Sequence, residues 1–280
     1  MGDTFLSQQA GKADRFQRLH DDYFVIPTIW DPLSALAAQE TGFGAVATSS
    51  AALGQGLGIR ASERVPFDLV ETQIARIAAV VNVPVSIDME DGYPEIPGGV
   101  AVAIARIIGA GVVAANIEDS WHGHARPLAS AEDHARRIET ARRTADAVLP
   151  GFFVNARTDL FLQNPGVEPE VSATEAIRRA RLYVEAGANG VYITARDLSD
   201  DLIAELTAAI PAPITLIVPE GRDIAHWRGL GVKRGSLGTI VIRNAWDAIQ
   251  VQLRAIRDSE RVPDLKPIDI DAAILAGRAA

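Results

Sequence analysis

Short runs of β-branched and aromatic residues alternate along the chain with longer stretches whose apolar positions recur at helical spacing. The runs at 24–28 (FVIPT), 44–49 (GAVATS), 83–90 (VPVSIDME), 112–119 (VVAANIED), 152–158 (FFVNART), 190–195 (GVYITA) and 214–219 (ITLIVP) are predicted to be strands, with a weaker one at 234–238 (RGSLG). Segments 67–81, 131–148 and 173–187 between them read as helices. In the last, Ala176, Ile177, Ala180 and Val184 make an apolar face opposite the arginines. Strand and helix in strict alternation predict a parallel sheet. Eight such units in 280 residues predict a (β/α)8 TIM barrel. A doubly wound sheet ordinarily has fewer strands and a Gly-rich turn at its switch point, and GQGLG at 54–58 lacks that turn's spacing. The phrases AAQETGFGA, ARIIGAGVVA and YVEAGANGV each place Gly after a helix end, as the left-handed C′ position requires. The expected organisation is one domain over 1–280, with the barrel at about 22–258 and a C-terminal extension at about 259–280.

Barrel chemistry sits at the C-terminal ends of the strands. There the third run ends in Asp88, Met89 and Glu90, and period-two alternation predicts that Asp88 and Glu90 face the same side. The fourth run adds Glu118, and the fifth places Asn155 and Arg157 on one face. Three carboxylates converging at a barrel mouth would repel one another unless a cation lay among them. Oxygen donors without cysteine favour Mg2+ or Mn2+ over Zn2+. Arg157 supplies a planar fork that matches a substrate carboxylate or phosphonate. The simpler explanation, helix capping or pairing with arginines, serves any one of these acids but accounts poorly for all of them together. Asp91, out of phase, reads as a turn or supporting residue, and Asp159 as a cap or the partner of a basic side chain.

Composition narrows the chemistry further. The net charge of −9 and the lack of a basic stretch argue against nucleic acid or an anionic membrane as partner. With no cysteine, disulfides, thiolate metal sites and a cysteine nucleophile are excluded. The polar N-terminal segment resembles neither a secretory nor a transit peptide, and no apolar run approaches the ~18 residues of a membrane span. A cytoplasmic location is the expectation.

With these residues in place, the chain resembles the isocitrate lyase/phosphoenolpyruvate mutase superfamily. The resemblance runs through PTIWDPLSALAAQETGFGAVATSS, VSIDMEDGYPE, GVVAANIEDS, FVNARTD, YVEAGANGVYI and RGSLGTIVIRNAWDAI, in that order. It implies a metal motif on Asp88 and Glu90, with Glu in place of a second Asp, and a further metal-associated acid at Glu118. It also implies a substrate-gripping Arg157 and a 2-oxo carboxylate cradle at Ser49, Ser50 and Ala51. Mg2+ dependence, an enolate intermediate and a homo-oligomer (tetramer or dimer) with a swapped C-terminal helix are implied as well.

The departures bear on substrate. The cysteine-bearing lyase loop is replaced by SWHGHARPLAS at 120–130, an expected aspartate falls on Ala61 with Glu63 out of register, and Thr194 and Ile217 stand where polar groups are expected. His122 or His124, with Tyr93, is then the candidate proton donor, the competing explanation being exposed loop histidines. The expected function is Mg2+-dependent carbon–carbon cleavage of a small 2-oxo or 2-hydroxy dicarboxylic acid. Oxaloacetate decarboxylation is its simplest form, and methylisocitrate lyase-like cleavage another. The alternatives are a phosphonopyruvate or carboxyphosphonate mutase or hydrolase, and a catalytically weak protein that binds 2-oxo acids.

Overall fold

A computed structural model describes residues 2–121, 127–163, 169–195, 197–262 and 269–279. Its strands are β1 (Phe24–Ile26), β2 (Thr28–Ile29), β3 (Val46–Thr48), β4 (Val85–Asp88), β5 (Ala114–Glu118), β6 (Phe153–Thr158), β7 (Gly190–Ile193), β8 (Ile214–Ile217) and β9 (Arg234–Ser236). Each of the eight predicted runs holds a strand, including the weak last one, and the first holds β1 and enters β2, which continues to Ile29.

All pairings are parallel, in the order β1-β9-β8-β7-β6-β5-β4-β3-β2. β1 and β2 are one crossing of the sheet divided at Pro27, whose ring nitrogen has no hydrogen to donate. One half pairs with β9 and the other with β3, so the nine strands form a nearly closed TIM barrel. The weak signal of β9 has a steric origin. A Cβ on Gly235 would lie 2.6 Å from the Tyr23 hydroxyl and 2.8 Å from Val218 Cγ2, so this position cannot carry the branched residue that marks a strand.

The helix Gly2–Leu19 covers the end of the barrel where the strands begin. Phe16 packs edge-on against Phe153 at 5.5 Å and Phe24 at 6.2 Å, while the Gln9 amide donates to Ile108 O at 2.7 Å and Val112 O at 2.8 Å. The helix therefore seals the floor and leaves the opposite mouth for chemistry. GQGLG contributes to packing, since Gly54 and Gly56 end the short helix Ser50–Gly56, and a Cβ on Gly56 would lie 2.7 Å from Trp30.

His20, at the end of the floor helix, is buried and stacks on Phe153 at 4.2 Å. Burial, with Arg234 nearby, lowers its pKa from 6.5 to about 3. The unfolded chain thus takes up this proton near pH 6.5 while the folded chain refuses it, so stability is lost as pH falls from about 6.5 toward 3. This histidine alone should remove about 2 kcal/mol between pH 7 and pH 5. His20→Phe, compared with the parent by urea denaturation at both pH values, should show a correspondingly shallower acid loss. An unchanged acid limb would refute this assignment. His134, fully buried and edge-on to Tyr183 at 4.6 Å, is also held well below the ordinary value by burial and acts in the same direction.

Beyond the barrel, the helix Ile240–Ser259 has no buried residue, and Trp246 and Leu253 are 65% and 61% exposed. The C-terminal helix Ile270–Ala279 lies on the chain's own helix Pro32–Glu40. It approaches so closely that a Cβ on Gly277 would sit 1.8 Å from Val80 O. Among the described residues no helix is long and apolar enough to cross a membrane.

Candidate active site

The barrel mouth opens into a cavity of about 660 Å3. Asp88, the last residue of β4, lines it, and its position is fixed by the neighbouring strand. The Asp88 N–H donates to Thr48 Oγ1 at 3.1 Å, and its Oδ2 accepts from both the N–H (3.1 Å) and Oγ (3.0 Å) of Ser50. Ser49 caps the helix Ser50–Gly56 by accepting from Ala52 N, and Ser49, Ser50 and Ala51 together form one wall of the cavity. Ala61 lines the cavity too, while Glu63 pairs with Arg60 at the surface, consistent with the register read from the sequence.

Arg157 comes from β6 and reaches across the mouth. Its Nη1 lies 2.9 Å from Glu118 Oε2 and 3.3 Å from each Asp88 oxygen, while Nε and Nη2 donate to Asp159 at 2.7 and 3.1 Å. Burial alone would lower the Arg157 pKa, but Asp159, Glu118 and Asp88 outweigh it and hold the guanidinium firmly charged. Asp159 in turn accepts from Ser120 Oγ at 2.8 Å and Thr194 Oγ1 at 2.6 Å. It is the partner of a basic side chain, and it orients the Arg157 fork.

The same-side arrangement predicted for Asp88 and Glu90 does not form. β4 ends at Asp88, and Glu90 takes φ +49°, a left-handed conformation that breaks the period-two alternation. Glu90 is buried beside Arg64, whose Nε lies 3.4 Å from Oε2, and it does not line the cavity. Glu118 is fully buried behind Arg157. Of the three expected metal-associated acids only Asp88 lines the cavity, and among the described residues no three carboxylates or histidines gather closely enough to ligate an ion directly.

A mouth built of an anchored aspartate, a buried arginine and a serine wall is where comparison with known proteins becomes informative. The phosphoenolpyruvate phosphomutase family profile matches residues 16–257. The chain belongs to that family. The family lies in the isocitrate lyase/phosphoenolpyruvate mutase superfamily, so the protein is an enzyme from a group of lyases and mutases of small oxo acids. An uncharacterized protein of Mycobacterium tuberculosis is 35% identical over 254 residues, spanning 87% of this chain and 88% of its own. A chloroplastic carboxyvinyl-carboxyphosphonate phosphorylmutase of Arabidopsis thaliana is 32% identical over 67% of this chain and 56% of its own. The crystal structure of a putative phosphonomutase from Burkholderia cenocepacia superposes with a TM-score of 0.82 at 31% identity, covering 88% of this chain and 99% of that one.

In this family member the remaining expected residues fall in different places. Tyr93 is removed from the cavity: its hydroxyl donates to Val65 O at 3.0 Å, and its ring lies between Phe67 at 5.0 Å and the Arg64 guanidinium at 4.1 Å. Burial raises its pKa, so it is a packing residue of the turn after β4 and not a proton donor at the mouth. Asp91 accepts from Arg64 and from Tyr93 N in the same turn. His122 and His124 lie outside the described residues. Trp121, just before them, rests on Arg137 at 4.3 Å.

Several cavity residues were not singled out in the sequence. Asn116, Tyr192, Ser236 and Arg234 all line it. Asn116 Oδ1 accepts from Asn155 Nδ2 at 2.9 Å, and Tyr192 lies beneath Arg157 with its ring 5.7 Å from the guanidinium. Thr194 and Ile217 also face the cavity, uncharged side chains at the two positions where the superfamily resemblance implies other polar groups, while Asp197, Glu220 and Arg243 bring charge to the lining. Under the mouth, Asp119 gathers Thr158 Oγ1, Asp159 N, Arg179 and Tyr183 OH within 3.0 Å. That buried network ties β5 and β6 to the helix Pro169–Glu185 and fixes the strand ends that carry Glu118 and Arg157.

Proposed function

We propose that this enzyme cleaves a carbon–carbon bond in a small 2-oxo or 2-hydroxy dicarboxylic acid with the help of Mg2+, oxaloacetate decarboxylation being the simplest form. The observation that carries the reading is the juxtaposition of Arg157 and Asp88 on a cavity walled by Ser49, Ser50 and Ala51. The oxygen-only donor set fits Mg2+, which takes one or two carboxylates and keeps several waters. Asp88 would hold the ion directly and Glu118 through water, while Glu90 faces Arg64 instead of the ion; Mn2+ suits the same donors. When bound, the ion supplies the positive charge that stabilises an enolate.

The chain's own residues do the rest. Arg157 offers the carboxylate next to the oxo group the N–H donors of its terminal nitrogens, and Asp159, which takes Nε and one Nη2 hydrogen, keeps the guanidinium aligned. The Ser49–Ala51 wall receives the same carboxylate. Loss of CO2 leaves its electron pair on the carbon beside the oxo group, so no base is needed to begin. A proton is then required at that carbon, and His122 or His124 remains the proposed donor. The uncharged side chains at Ala61, Thr194 and Ile217 support a reaction that asks little of those three positions.

A phosphonopyruvate or carboxyphosphonate reaction is the second reading, favoured by the Arabidopsis relative and by the arginines Arg157, Arg234 and Arg243 that line the cavity. A screen of 2-oxo, 2-hydroxy and phosphono acids with Mg2+, following pyruvate and phosphate release, separates the two. Pyruvate from a carbon acid is the expected result, and phosphate from phosphono acids alone would overturn it.

The exposed apolar stripe of the helix Ile240–Ser259 supports a homo-oligomer, by continuity with the swapped-helix assemblies the superfamily resemblance implies. Sedimentation should give a dimer or tetramer mass, and Trp246→Glu should lower it. A monomer at micromolar concentration would contradict this.

A further inference from the structure

Of the arginines on or behind the barrel wall, Arg64 is matched to Asp91, Arg157 to Asp159 and Arg179 to Asp119, while Arg137 donates to the backbone carbonyls of Asp91 and Glu118. Among the described residues Arg234 has neither kind of partner. It is 1% exposed and lines the cavity, yet its Nε and Nη1 have no hydrogen-bond partner and it makes no ion pair among the described residues. Its guanidinium lies 5.6 Å from the Phe16 ring, with Tyr192 also nearby. A buried charge without a partner is strongly unfavourable, and such groups persist where something else supplies the counter-charge.

The strand register shows what that could be. Arg157 pairs with Tyr192, Tyr192 with Thr215, and Thr215 with Arg234 across four adjacent strands. Register partners share a face of the sheet, so both guanidinium side chains project into the barrel. Their backbones are three strand spacings apart, about 14 Å along the curved wall. Both line the cavity of about 660 Å3, which has room for a molecule with an anionic group at each end.

We propose that Arg234 is a second anion-recognition residue of this cavity and takes the far acid group of a substrate whose first carboxylate is held by Arg157. The assignment rests on the 2-oxo acid reading above and deepens it, because it selects two-headed acids over pyruvate-like ones. Arg234 is the stronger discriminator of the two guanidiniums: Arg157 already pairs directly with Asp88 and Glu118, whereas Arg234 feels Asp88 only at a distance and pairs with no carboxylate among the described residues.

The test compares ligands with one and two acid groups on Mg2+-loaded protein. Pyruvate carries one; oxaloacetate and phosphonopyruvate carry a second, as carboxylate and as phosphonate. Arg234→Met should weaken binding of at least one two-headed acid roughly 10- to 100-fold while pyruvate changes less than about threefold. The arm that loses more identifies whether the far group is carboxylate or phosphonate. Equal losses for all three ligands, or no loss for any, would overturn the proposal. If Arg234→Met does not fold, Arg234→Lys, which keeps the charge and removes the fork, should show the same selective loss at smaller size. A parent protein that binds none of the three would instead refute the 2-oxo acid reading itself.

Discussion

Asp88→Ala is expected to lower turnover on the order of 10³-fold and to abolish the dependence of ligand binding on Mg2+. Asp88 alone among the three acids lines the cavity, so no neighbour can take over its role without moving. Glu118 is held behind Arg157, and Glu90 is turned toward Arg64 by its left-handed backbone. The substitution also releases Ser50 N–H and Oγ, which both point at Asp88 Oδ2. Asp88→Asn provides the control, since it keeps a hydrogen-bonding oxygen of similar shape and loses the charge. Fluorescence or calorimetric titration of a 2-oxo acid with and without Mg2+ reads the effect. Metal-dependent binding that survives in Asp88→Ala would remove this residue from the metal site.

Arg157→Lys should weaken 2-oxo acid binding roughly 10- to 100-fold, the equivalent of one or two charge-assisted hydrogen bonds. Charge is preserved, so the loss reports geometry. The guanidinium now spends Nε and Nη2 on Asp159 and Nη1 on Glu118 and Asp88, and an ammonium cannot serve those directions together. Folding should suffer little by comparison, because a lysine can still neutralise Asp159 or Glu118. Equal affinities in the two proteins would show that Arg157 is a structural cation of the mouth and not its anion grip.

The parts of this enzyme that were legible in its sequence are those governed by simple periodicity. Alternating runs and helical stretches specify the barrel, and the rule that chemistry sits at strand ends picks out Asp88 and Arg157, which do meet. Alternation misleads at Glu90 because a strand's end is not written in its residue types: VSIDME looks uniform, but the chain turns at Met89–Asp91. Tyr93 looked like chemistry because it follows the acids, and its hydroxyl is instead used to hold Val65. Arg234 and Tyr192 escaped notice for the opposite reason. Gly235 weakens the strand signal around the arginine, and Tyr192 sits in the apolar run GVYITA, where it reads as core. The register ladder through Thr215 sets both on the same face as Arg157, and both line its cavity.

Oxalate, a compact stand-in for the oxo-carboxylate end of the substrate, gives the most direct test that Mg2+ and a 2-oxo acid share the Asp88–Arg157 cavity. Isothermal titration of oxalate should show one site per chain in the presence of Mg2+ and no measurable binding in EDTA. Oxalate binding of equal strength without a divalent ion, or no binding in either condition, would contradict it.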